Sequence, residues 1–493
     1  MNNIIPQNLP VIPQKYKPFA HQQEALELSW NAPHFALLME MGCGKSKVAV
    51  DTIAALAVLK EINGVLVLAP KGVYLNWVKE EFPRHMPDMI DYFMAPWRSL
   101  MNKDEEKKFK LLLKHPEPGV LDIMVMNIEG INVERGFRDV IKFLETHNVL
   151  TIIDESTCIK SHKADRSKRA WTIGKLSKYR RIMTGTPITQ DPLDLFSQFQ
   201  FLQPGCLKFT SYSAFRAFYA NMGVQIMGNR SFPKILGFRN LETLQRDLQP
   251  ISYRKLKTEC LDLPPKVYQT RYIDMEPEQR TIYEKFKKEA LLTLNEQTIT
   301  STSALTTIMK LQQIACGFVV DDDSNEISIP TNRLDALGEI VQDIQGKVIV
   351  WCAFRRNVED VVAYLKETYG DHSTVHYYGG TTDDGRAESL ERFKNDPTCR
   401  FFIGTAATGG MGITLIQSNT TVYFSNGYNL MYRLQSEDRN HRIGQQNTVN
   451  VIDIVCNNTV DERIVKILKA KKDLASMVLD NWKELILGLT EDL

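Results

Sequence analysis

One glycine-rich turn has the residue spacing of a phosphate-binding loop. Residues 40–46 read Glu-Met-Gly-Cys-Gly-Lys-Ser, between an apolar run over residues 35–39 and a helical pattern over residues 48–59. In such a strand–turn–helix, Gly42 and Gly44 allow backbone N–H groups to converge on phosphate oxygens, and the helix N-terminus adds positive potential. The turn therefore predicts phosphate binding.

The last two residues of the turn extend this prediction to a nucleoside triphosphate with its metal. The Lys45 ammonium can reach the terminal phosphates, and the Ser46 hydroxyl can hold Mg²⁺. Met39 stands where the usual pattern begins with glycine. The alternative is a strand-to-helix turn that carries an incidental lysine.

Composition bounds the class of protein. The chain has 493 residues, 43% of them apolar and 24% charged, and no apolar run approaches the roughly 20 residues needed to span a bilayer. At about 150 residues per domain, we expect about three structural units and no membrane partner. The eight cysteines are scattered singly, which argues against a zinc site or a disulfide scaffold. A net charge of +1 leaves any nucleic-acid surface to local basic patches.

An acidic pair ends the β-rich run over residues 149–153. Beside a phosphate loop, Asp154 would hold Mg²⁺ and Glu155 would orient or deprotonate the attacking water. The alternative is a strand capped by two acids, which does not explain their place downstream of Lys45.

Two residues near the first strands are candidates for ligand contact. Gln22, at the start of a helical pattern, carries a carboxamide that can read an adenine edge. Lys71 follows the apolar run over residues 65–69 and could meet a nucleic-acid phosphate. The alternative is that Gln22 and Lys71 are ordinary exposed side chains without a ligand.

A basic stretch lies between the acidic pair and the next turn. Residues 160–181 contain nine basic side chains against Asp165 alone. This stretch is either a solvated face or a contact for a polyanion, whose affinity would then fall steeply with salt. The hydroxyl-rich turn that follows, with Thr184, Gly185 and Thr186, offers small donors that could sense the phosphate or the neighbouring domain.

Strand and helix patterns alternate again in the second half of the chain. Residues from about 191 to 330 lack this rhythm and are predicted to be mainly helical. Five further strands are expected, at residues 347–354, 375–380, 401–405, 421–424 and 449–455. Their alternation with helices predicts a second parallel-sheet domain.

Arg439 and Arg442 are three residues apart, so on a helix they would point to one side. Two guanidinium groups on one face suit a phosphoryl-transfer transition state. The alternative is a basic helix face in ion pairs with Glu437 and Asp438.

The order of these segments resembles the motifs of superfamily-two helicases, and of Swi/Snf-type DNA-dependent ATPases in particular. The specific marks are Asp-Glu at 154–155, Thr-Gly-Thr-Pro at 184–187, Gly-Gly-Met-Gly-Ile at 409–413, and Gln-Ser-Glu-Asp-Arg-Asn-His-Arg-Ile-Gly-Gln at 435–445. The phosphate-binding loop of this family also lacks the glycine in whose place Met39 stands here. Ser156 and Thr157 depart from the family, which has a small residue and histidine there.

The resemblance implies an α/β fold with two RecA-like parallel-sheet lobes, a helical insertion and a C-terminal brace helix, and ATP in the cleft between the lobes. The expected boundaries are 1–205 for the first lobe, with a helical excursion near 88–120, then 206–330 for the insertion and 331–493 for the second lobe.

The resemblance also implies roles for individual residues. The residues expected to hold ATP and Mg²⁺ are Gln22, Gly42, Gly44, Lys45, Ser46, Asp154 and Gly412, with Ser46 and Asp154 on the metal. Catalysis is expected from Lys45, Glu155, Arg439 and Arg442. Coupling of the nucleotide state to the grip on DNA is expected from Thr184, Gly185, Thr186 and Gln435. Contact with the DNA backbone is expected from Lys71, Thr405 and Thr408.

The function implied is ATP-driven translocation on double-stranded DNA, which would remodel DNA or displace bound proteins. Two alternatives stay open: a helicase that separates DNA or RNA strands, and a nucleic-acid clamp without turnover. The short stretch after the last motif favours a bacterial or phage translocase over a nucleosome remodeller. The protein is expected to be a monomer, cytoplasmic in a bacterial or phage-infected cell and nuclear in a eukaryote. A recruiting protein is left open, as are the pathway and the direction of movement.

Overall fold

The computed structural model describes residues 14–114, 117–227, 230–296, 301–321, 323, 325–409 and 413–479. The chain forms two compact units, each described here by itself. Unit 1 comprises the described residues up to Asn221, Gly237–Leu261 and those from Asp473 onward. Unit 2 comprises the described residues of Met222–Leu236 and Asp262–Lys472.

The elements from the N-terminus to the end of the first sheet follow in chain order. They are α1 (Ala20–Ser29), β1 (His34–Met39), α2 (Lys45–Val58), β2 (Gly64–Ala69), α3 (Tyr74–Asn76), a π-helical turn (Trp77–Glu81), α4 (Phe82–His85), β3 (Tyr92–Trp97), α5 (Lys103–Leu112), β4 (Leu121–Asn127), α6 (Glu134–Thr146), β5 (Val149–Asp154), α7 (Asp165–Leu176), β6 (Tyr179–Met183), α8 (Asp194–Leu202), α9 (Tyr212–Tyr219), β7 (Ala220–Met227), β8 (Arg230–Phe238), α10 (Leu241–Leu248) and β9 (Ser252–Lys255).

The sheet of unit 1 is fully parallel, in the order β3-β4-β2-β5-β6-β1-β9. Its central strands are continuous apolar runs because helices cover both faces of such a sheet. In β2, for example, every residue is buried. Since the strands run in one direction, their carboxyl ends meet at one edge, where ligands bind in open α/β sheets. Three neighbouring strands, β5, β6 and β1, bring the ends of the predicted motifs together there, and β9 lies beside β1.

The remaining elements follow in chain order. They are β10 (Lys266–Ile273), α11 (Pro277–Glu296), α12 (Ser301–Ala315), β11 (Phe318–Val320), β12 (Glu326–Ser328), α13 (Arg333–Gln342), β13 (Val348–Cys352), α14 (Arg355–Tyr369), β14 (Thr374–Tyr377), α15 (Asp383–Asn395), β15 (Phe401–Thr405), α16 (Ala406–Gly409), β16 (Thr420–Tyr423), α17 (Leu430–Glu437), β17 (Val449–Cys456) and α18 (Val460–Leu479).

Unit 2 has a second parallel sheet, in the order β10-β17-β16-β13-β15-β14. The predicted α/β class with two parallel sheets is thus confirmed, and all five strands expected in the second half are present. Leu337, Val350, Val361 and Phe401 belong to one of its apolar cores. No helix among the described residues is both long and apolar enough to cross a membrane.

The sequence analysis missed some strands. The stretch near 88–120 was predicted as a helical excursion, and it contains α5 but also the edge strand β3. The expected insertion over 206–330 contributes β9 to the first sheet and β10 to the second. β9 is only four residues long, and β10 is largely exposed, so neither shows a buried apolar run. The boundaries at 205 and 330 stay predictions.

Candidate nucleotide-binding and hydrolysis site

The glycine-rich turn adopts the backbone that phosphate binding requires. Gly42 and Gly44 have φ angles of +86° and +79°, and α2 begins at Lys45. A Cβ atom added to Gly44 would lie 2.1 Å from Nε2 of Gln22. The left-handed conformation therefore favours glycine at position 44, and a larger residue would also displace the Gln22 carboxamide.

The side chain of Lys45 lies back along its own loop. Its Nζ donates hydrogen bonds to the carbonyl oxygens of Met39, at 2.9 Å, and Glu40, at 3.2 Å. The ammonium is thereby held where β1 ends and the loop begins. A long, flexible side chain in this place can exchange carbonyl oxygens for phosphate oxygens.

Gln22 lies against the loop, in the first turn of α1. Its Oε1 accepts from the backbone N–H of Phe19 at 3.0 Å, and its Nε2 donates to the carbonyl of Cys43 at 3.4 Å. His21 Nε2 is hydrogen-bonded to the same carbonyl at 2.9 Å. The structure thus joins Gln22 to the phosphate loop, while its reading of adenine stays a prediction.

The acidic pair lies at the carboxyl end of β5. Asp154 is buried; its Oδ2 accepts from Trp77 Nε1 at 3.0 Å, and its Oδ1 from the N–H of Glu155 at 3.0 Å. Burial raises the pKa of Asp154, and the Trp77 hydrogen bond and the Lys45 charge act against this rise. Glu155 has φ +51°, a strained conformation of the kind that clusters at functional sites.

The predicted coupling turn contacts both the acidic pair and the phosphate loop. Thr184 Oγ1 donates to Glu155 Oε2 at 3.0 Å, and Thr186 N–H donates to Thr184 Oγ1 at 3.1 Å. At Gly185 an added Cβ would lie 3.1 Å from the backbone N of Met41. The turn therefore joins the two halves of the site.

Ser156, where the sequence departs from the resembled family, is buried beside this turn. Its Oγ donates to Gln198 Oε1 at 2.7 Å, and Gln198 Nε2 donates to the carbonyl of Pro187 at 2.7 Å. Ser156 is thus connected through Gln198 to the residue that follows the Thr184–Thr186 turn.

Glu81 is a site residue that the sequence analysis did not find. It ends the π-helical turn, and its carboxylate Oε2 lies 3.7 Å from Nε2 of His85. Burial, then the charge of Asp154, raises the pKa of Glu81 to about 7. π-helical turns are frequent at functional sites. Pro83 was the available signal, because it has no N–H for the α-helical hydrogen bond to Lys79.

Residues 254–260 form a second missed part of the site, which we call the loop clamp. Arg254 Nη1 donates to the carbonyls of Leu38, at 3.0 Å, and Gly185, at 3.1 Å. The N–H of Lys257 donates to Glu40 Oε2 at 2.8 Å. The loop clamp thus holds both the start of the phosphate loop and the coupling turn.

The available ligands fit Mg²⁺. The Ser46 hydroxyl and the buried Asp154 carboxylate are oxygen donors, and Mg²⁺ is usually bound by one or two protein groups together with substrate phosphates. Among the described residues there is no group of three or more His, Cys, Asp or Glu that could hold a metal by itself. These two residues would hold the ion against the phosphates.

The basic stretch over residues 160–181 is largely neutralised by neighbouring carboxylates. Five of its cations are in salt bridges: Lys160–Asp194, Arg166–Glu129, Lys168–Asp165, Arg169–Glu134 and Lys178–Glu61. Arg181 is buried and donates to the carbonyls of Ser29 and Trp30. The charge count in the sequence therefore overstates the positive surface. Lys71 is exposed after β2.

In unit 2, the two predicted DNA-contacting threonines touch each other. Thr405 ends β15, and its Oγ1 donates to Thr408 Oγ1 in α16 at 3.0 Å. Both are partly exposed. The predicted nucleotide contact Gly412 lies outside the described residues.

The predicted arginine pair is not on a helix. α17 ends at Glu437, and Arg439 and Arg442 lie in the turns that follow, because the Arg439 carbonyl accepts from the N–H of Leu415 at 2.9 Å. The two side chains nevertheless come together, since both donate to the carbonyl of Ile413, at 3.2 and 3.1 Å. The expectation of a shared helix face was wrong, and the catalytic role stays a prediction.

Arg439 is the more buried of the two arginines. It is 2% exposed, and its Nε also donates to the carbonyl of Gln435 at 2.8 Å. Arg442 is partly exposed and donates to Thr414 Oγ1 at 2.8 Å. Gln435 is itself buried, and its Oε1 has no hydrogen-bond partner among the described residues.

Glu437 belongs to a buried charge network in unit 2. Its carboxylate pairs with Arg433 at 2.7 Å and Lys266 at 3.3 Å. Tyr268 also donates to it, at 2.8 Å. Burial alone would raise the pKa of Glu437, but the charges of Lys266 and Arg433 lower it to about 2. This network fixes the helix that precedes the arginine turns.

Comparison with known families agrees with this geometry. Residues 21–318 match the SNF2-related domain, and this match alone covers more than half of the chain. The chain belongs to the SNF2-related family. Residues 332–444 of this SNF2-related chain match the helicase conserved C-terminal domain. It is therefore a member of a family of helicase-like ATPases.

Three curated relatives of this SNF2-related chain carry related names. An uncharacterized ATP-dependent helicase of Mycoplasma genitalium is 26% identical over 89% of this chain and 40% of its own length. The mouse SWI/SNF-related matrix-associated actin-dependent regulator of chromatin subfamily A member 1 is 26% identical over 93% of this chain and 42% of its own length. A probable ATP-dependent DNA helicase of Arabidopsis thaliana is 27% identical over 89% of this chain and 39% of its own length. The chain thus spans about two fifths of the length of these relatives.

Proposed function

We propose that this chain hydrolyses ATP and uses the energy to move along double-stranded DNA. The observation that carries the proposal is the hydrogen bond from Thr184 to Glu155, because it ties the acid expected to act on water to a turn that also touches the phosphate loop. A turn in this position can report the state of the nucleotide to the rest of the motor.

Binding would rest on the phosphate loop. Gly42 and Gly44 present backbone N–H groups, Lys45 exchanges its carbonyl contacts for phosphate oxygens, and Gln22 supports the loop from α1. Ser46 and Asp154 would hold Mg²⁺, which when bound neutralises charge on the phosphates.

Hydrolysis would rest on Glu155. Its carboxylate can accept the proton of an attacking water, and general-base catalysis contributes roughly 10² to 10⁴ in rate. Thr184 donates to one oxygen of this carboxylate and so fixes its orientation. Arg442 is proposed to stabilise negative charge in the transition state, and Arg439 to position it through their shared carbonyl acceptor.

The name of the Arabidopsis relative supports DNA as the substrate. The residues proposed to contact its phosphates are Lys71 in unit 1 and the Thr405–Thr408 pair in unit 2. One lysine and two hydroxyls contact phosphate without reading bases, so we propose binding that is independent of sequence. The proposed motor acts as a monomer, which light scattering would test.

A triplex-displacement assay tests translocation directly. A third strand is annealed to a duplex, and its release is followed during ATP hydrolysis. We expect ATP-dependent release from the duplex without separation of the two duplex strands. Release of a labelled duplex strand instead would favour the alternative, a helicase that separates strands.

Glu155→Gln is the control for this assay. The variant keeps the shape of the side chain and the donor partner Thr184, so it should bind ATP and fold normally. It should release no third strand. Release by this variant at the wild-type rate would remove Glu155 from the mechanism.

A further inference from the structure

Two cysteines from distant parts of the sequence meet beside the phosphate loop. Sγ of Cys43 and Sγ of Cys260 are 3.4 Å apart, although 217 residues separate them in the chain. Cys43 lies between the two loop glycines and is 1% exposed, whereas Cys260 ends the loop clamp and is partly exposed. Both are free thiols.

We propose that Cys43 and Cys260 are a redox modification site, at which a small-molecule disulfide converts the thiol pair into a disulfide that closes the phosphate loop to nucleotide. The formation of the bond stands on the thiol geometry alone. Its effect on nucleotide rests on the proposed function.

The chemistry balances as two thiol–disulfide exchanges. The Cys260 thiolate attacks one sulfur of a small disulfide, forms a mixed disulfide and releases one small thiol, which takes the Cys260 proton. Cys43 then loses its proton, attacks the Cys260 sulfur and releases the second small thiol. The two cysteines are oxidised, and the small disulfide is reduced to two thiols.

The order of the two steps follows from exposure. Burial, then the hydrogen bond with Cys260, raises the pKa of the Cys43 thiol to about 12, so Cys43 is a poor first nucleophile. Cys260 is the thiol that solvent reaches. Once Cys260 carries the mixed disulfide, the short distance between the two sulfurs gives Cys43 a high effective concentration for the second step.

The bond would change the loop because the two sulfurs must move closer. A disulfide is about 2.0 Å long, so the sulfurs would approach by more than 1 Å from their present contact. Cys43 has little freedom to follow, since its carbonyl is held by His21 and its neighbours Gly42 and Gly44 have fixed left-handed backbones. The backbone N–H groups that bind phosphate would therefore be displaced.

The full chain is incubated with oxidised glutathione, and peptides are analysed by mass spectrometry without reduction. We expect a peptide cross-linked between Cys43 and Cys260, which dithiothreitol removes. Cys43→Ser and Cys260→Ser should each abolish it, whereas Cys206→Ser, which changes another partly exposed thiol of unit 1, should not. A glutathione adduct on Cys260 without the cross-link would overturn the modification site.

Binding of a fluorescent ATP analogue tests the consequence. The oxidised wild-type chain should bind the analogue at least about tenfold more weakly than the reduced chain, and dithiothreitol should restore binding. In Cys260→Ser, neither oxidised glutathione nor dithiothreitol should change the affinity for the analogue. A cross-linked chain that binds as well as the reduced chain would overturn the closing of the loop. If the reduced chain binds no analogue, the proposed function fails while the cross-link result still stands.

Discussion

The hydroxyl of Thr184 lies 3.0 Å from Oε2 of Glu155 and donates a hydrogen bond to it. Both side chains are buried, and 29 residues separate them in sequence. One end of this contact is the acid expected to act on water, and the other is the turn that touches the phosphate loop. We therefore propose that this contact links hydrolysis to conformational change within unit 1.

Removing the Thr184 hydroxyl should slow hydrolysis. A hydrogen bond to a charged group is worth about 1.5–3 kcal/mol, so Thr184→Val should lower kcat by roughly 10- to 100-fold and leave ATP affinity nearly unchanged. Thr184→Ser keeps the hydroxyl and should retain most of the activity. Steady-state kinetics on both variants checks this, and equal kcat values for them would argue against the link.

Gly44 and Gly119 provide a matched pair for testing the loop. Both have positive φ angles, of +79° and +88°, but an added Cβ would strike Gln22 at Gly44 and meet nothing within 4 Å at Gly119. Each change to Ala should cost about 1–2 kcal/mol of stability from backbone strain. Only Gly44→Ala should also weaken ATP binding, measured by titration calorimetry. Equal affinities in the two variants would contradict a phosphate role for the loop.

Much of this site could be predicted because its residues sit at the ends of buried strands. An apolar run that stops at Met39, just before the phosphate loop, or at Ile153, just before the acidic pair, shows both the strand and the edge where it ends. The sequence could not show which loops meet at that edge. Arg254 reaches Leu38, 216 residues away, through a strand of four residues that carries no clear pattern.

The arginine pair shows another limit of sequence reasoning. A spacing of three suggests a helix, but a tertiary hydrogen bond to Leu415 holds the Arg439 carbonyl outside α17. Local periodicity contains no information on such a bond. The two guanidinium groups meet anyway because they share one acceptor, the Ile413 carbonyl.

Arg439 and Arg442 should respond differently to substitution by lysine. Arg439 is buried against backbone carbonyls, so Arg439→Lys should lower the free energy of unfolding by about 1–3 kcal/mol. Arg442→Lys should change it by less than about 1 kcal/mol but reduce kcat strongly, since an arginine at a phosphoryl-transfer transition state is worth roughly 10³ to 10⁵ in rate. Denaturant unfolding and ATPase kinetics separate the two effects. A fully active Arg442→Lys would remove this residue from catalysis.

The buried Glu437 network predicts a dependence of stability on pH. Because its folded pKa, about 2, is below its unfolded value of 4.5, Glu437 contributes stability above pH 4.5, and this contribution is lost as pH falls towards 2. Glu437→Gln should cost about 3–5 kcal/mol at pH 7 and flatten the stability profile in that window. Denaturant unfolding at several pH values measures both quantities.

The matched control is Glu359→Gln. Glu359 pairs with Arg355 on the surface, at 2.8 Å. An exposed pair is worth at most about 1 kcal/mol, so this variant should be nearly as stable as the wild type. A Glu437→Gln variant no less stable than this control would show that the buried network does not stabilise unit 2.

The central claim is that duplex DNA drives ATP turnover in this chain. The most direct measurement is the ATPase rate with no nucleic acid, with duplex DNA, with single-stranded DNA and with RNA, each at several salt concentrations. We predict that duplex DNA raises kcat by about tenfold or more, a typical size for coupling between two sites, and that the effect weakens as salt rises. An ATPase rate that duplex DNA leaves unchanged at every salt concentration would contradict the account.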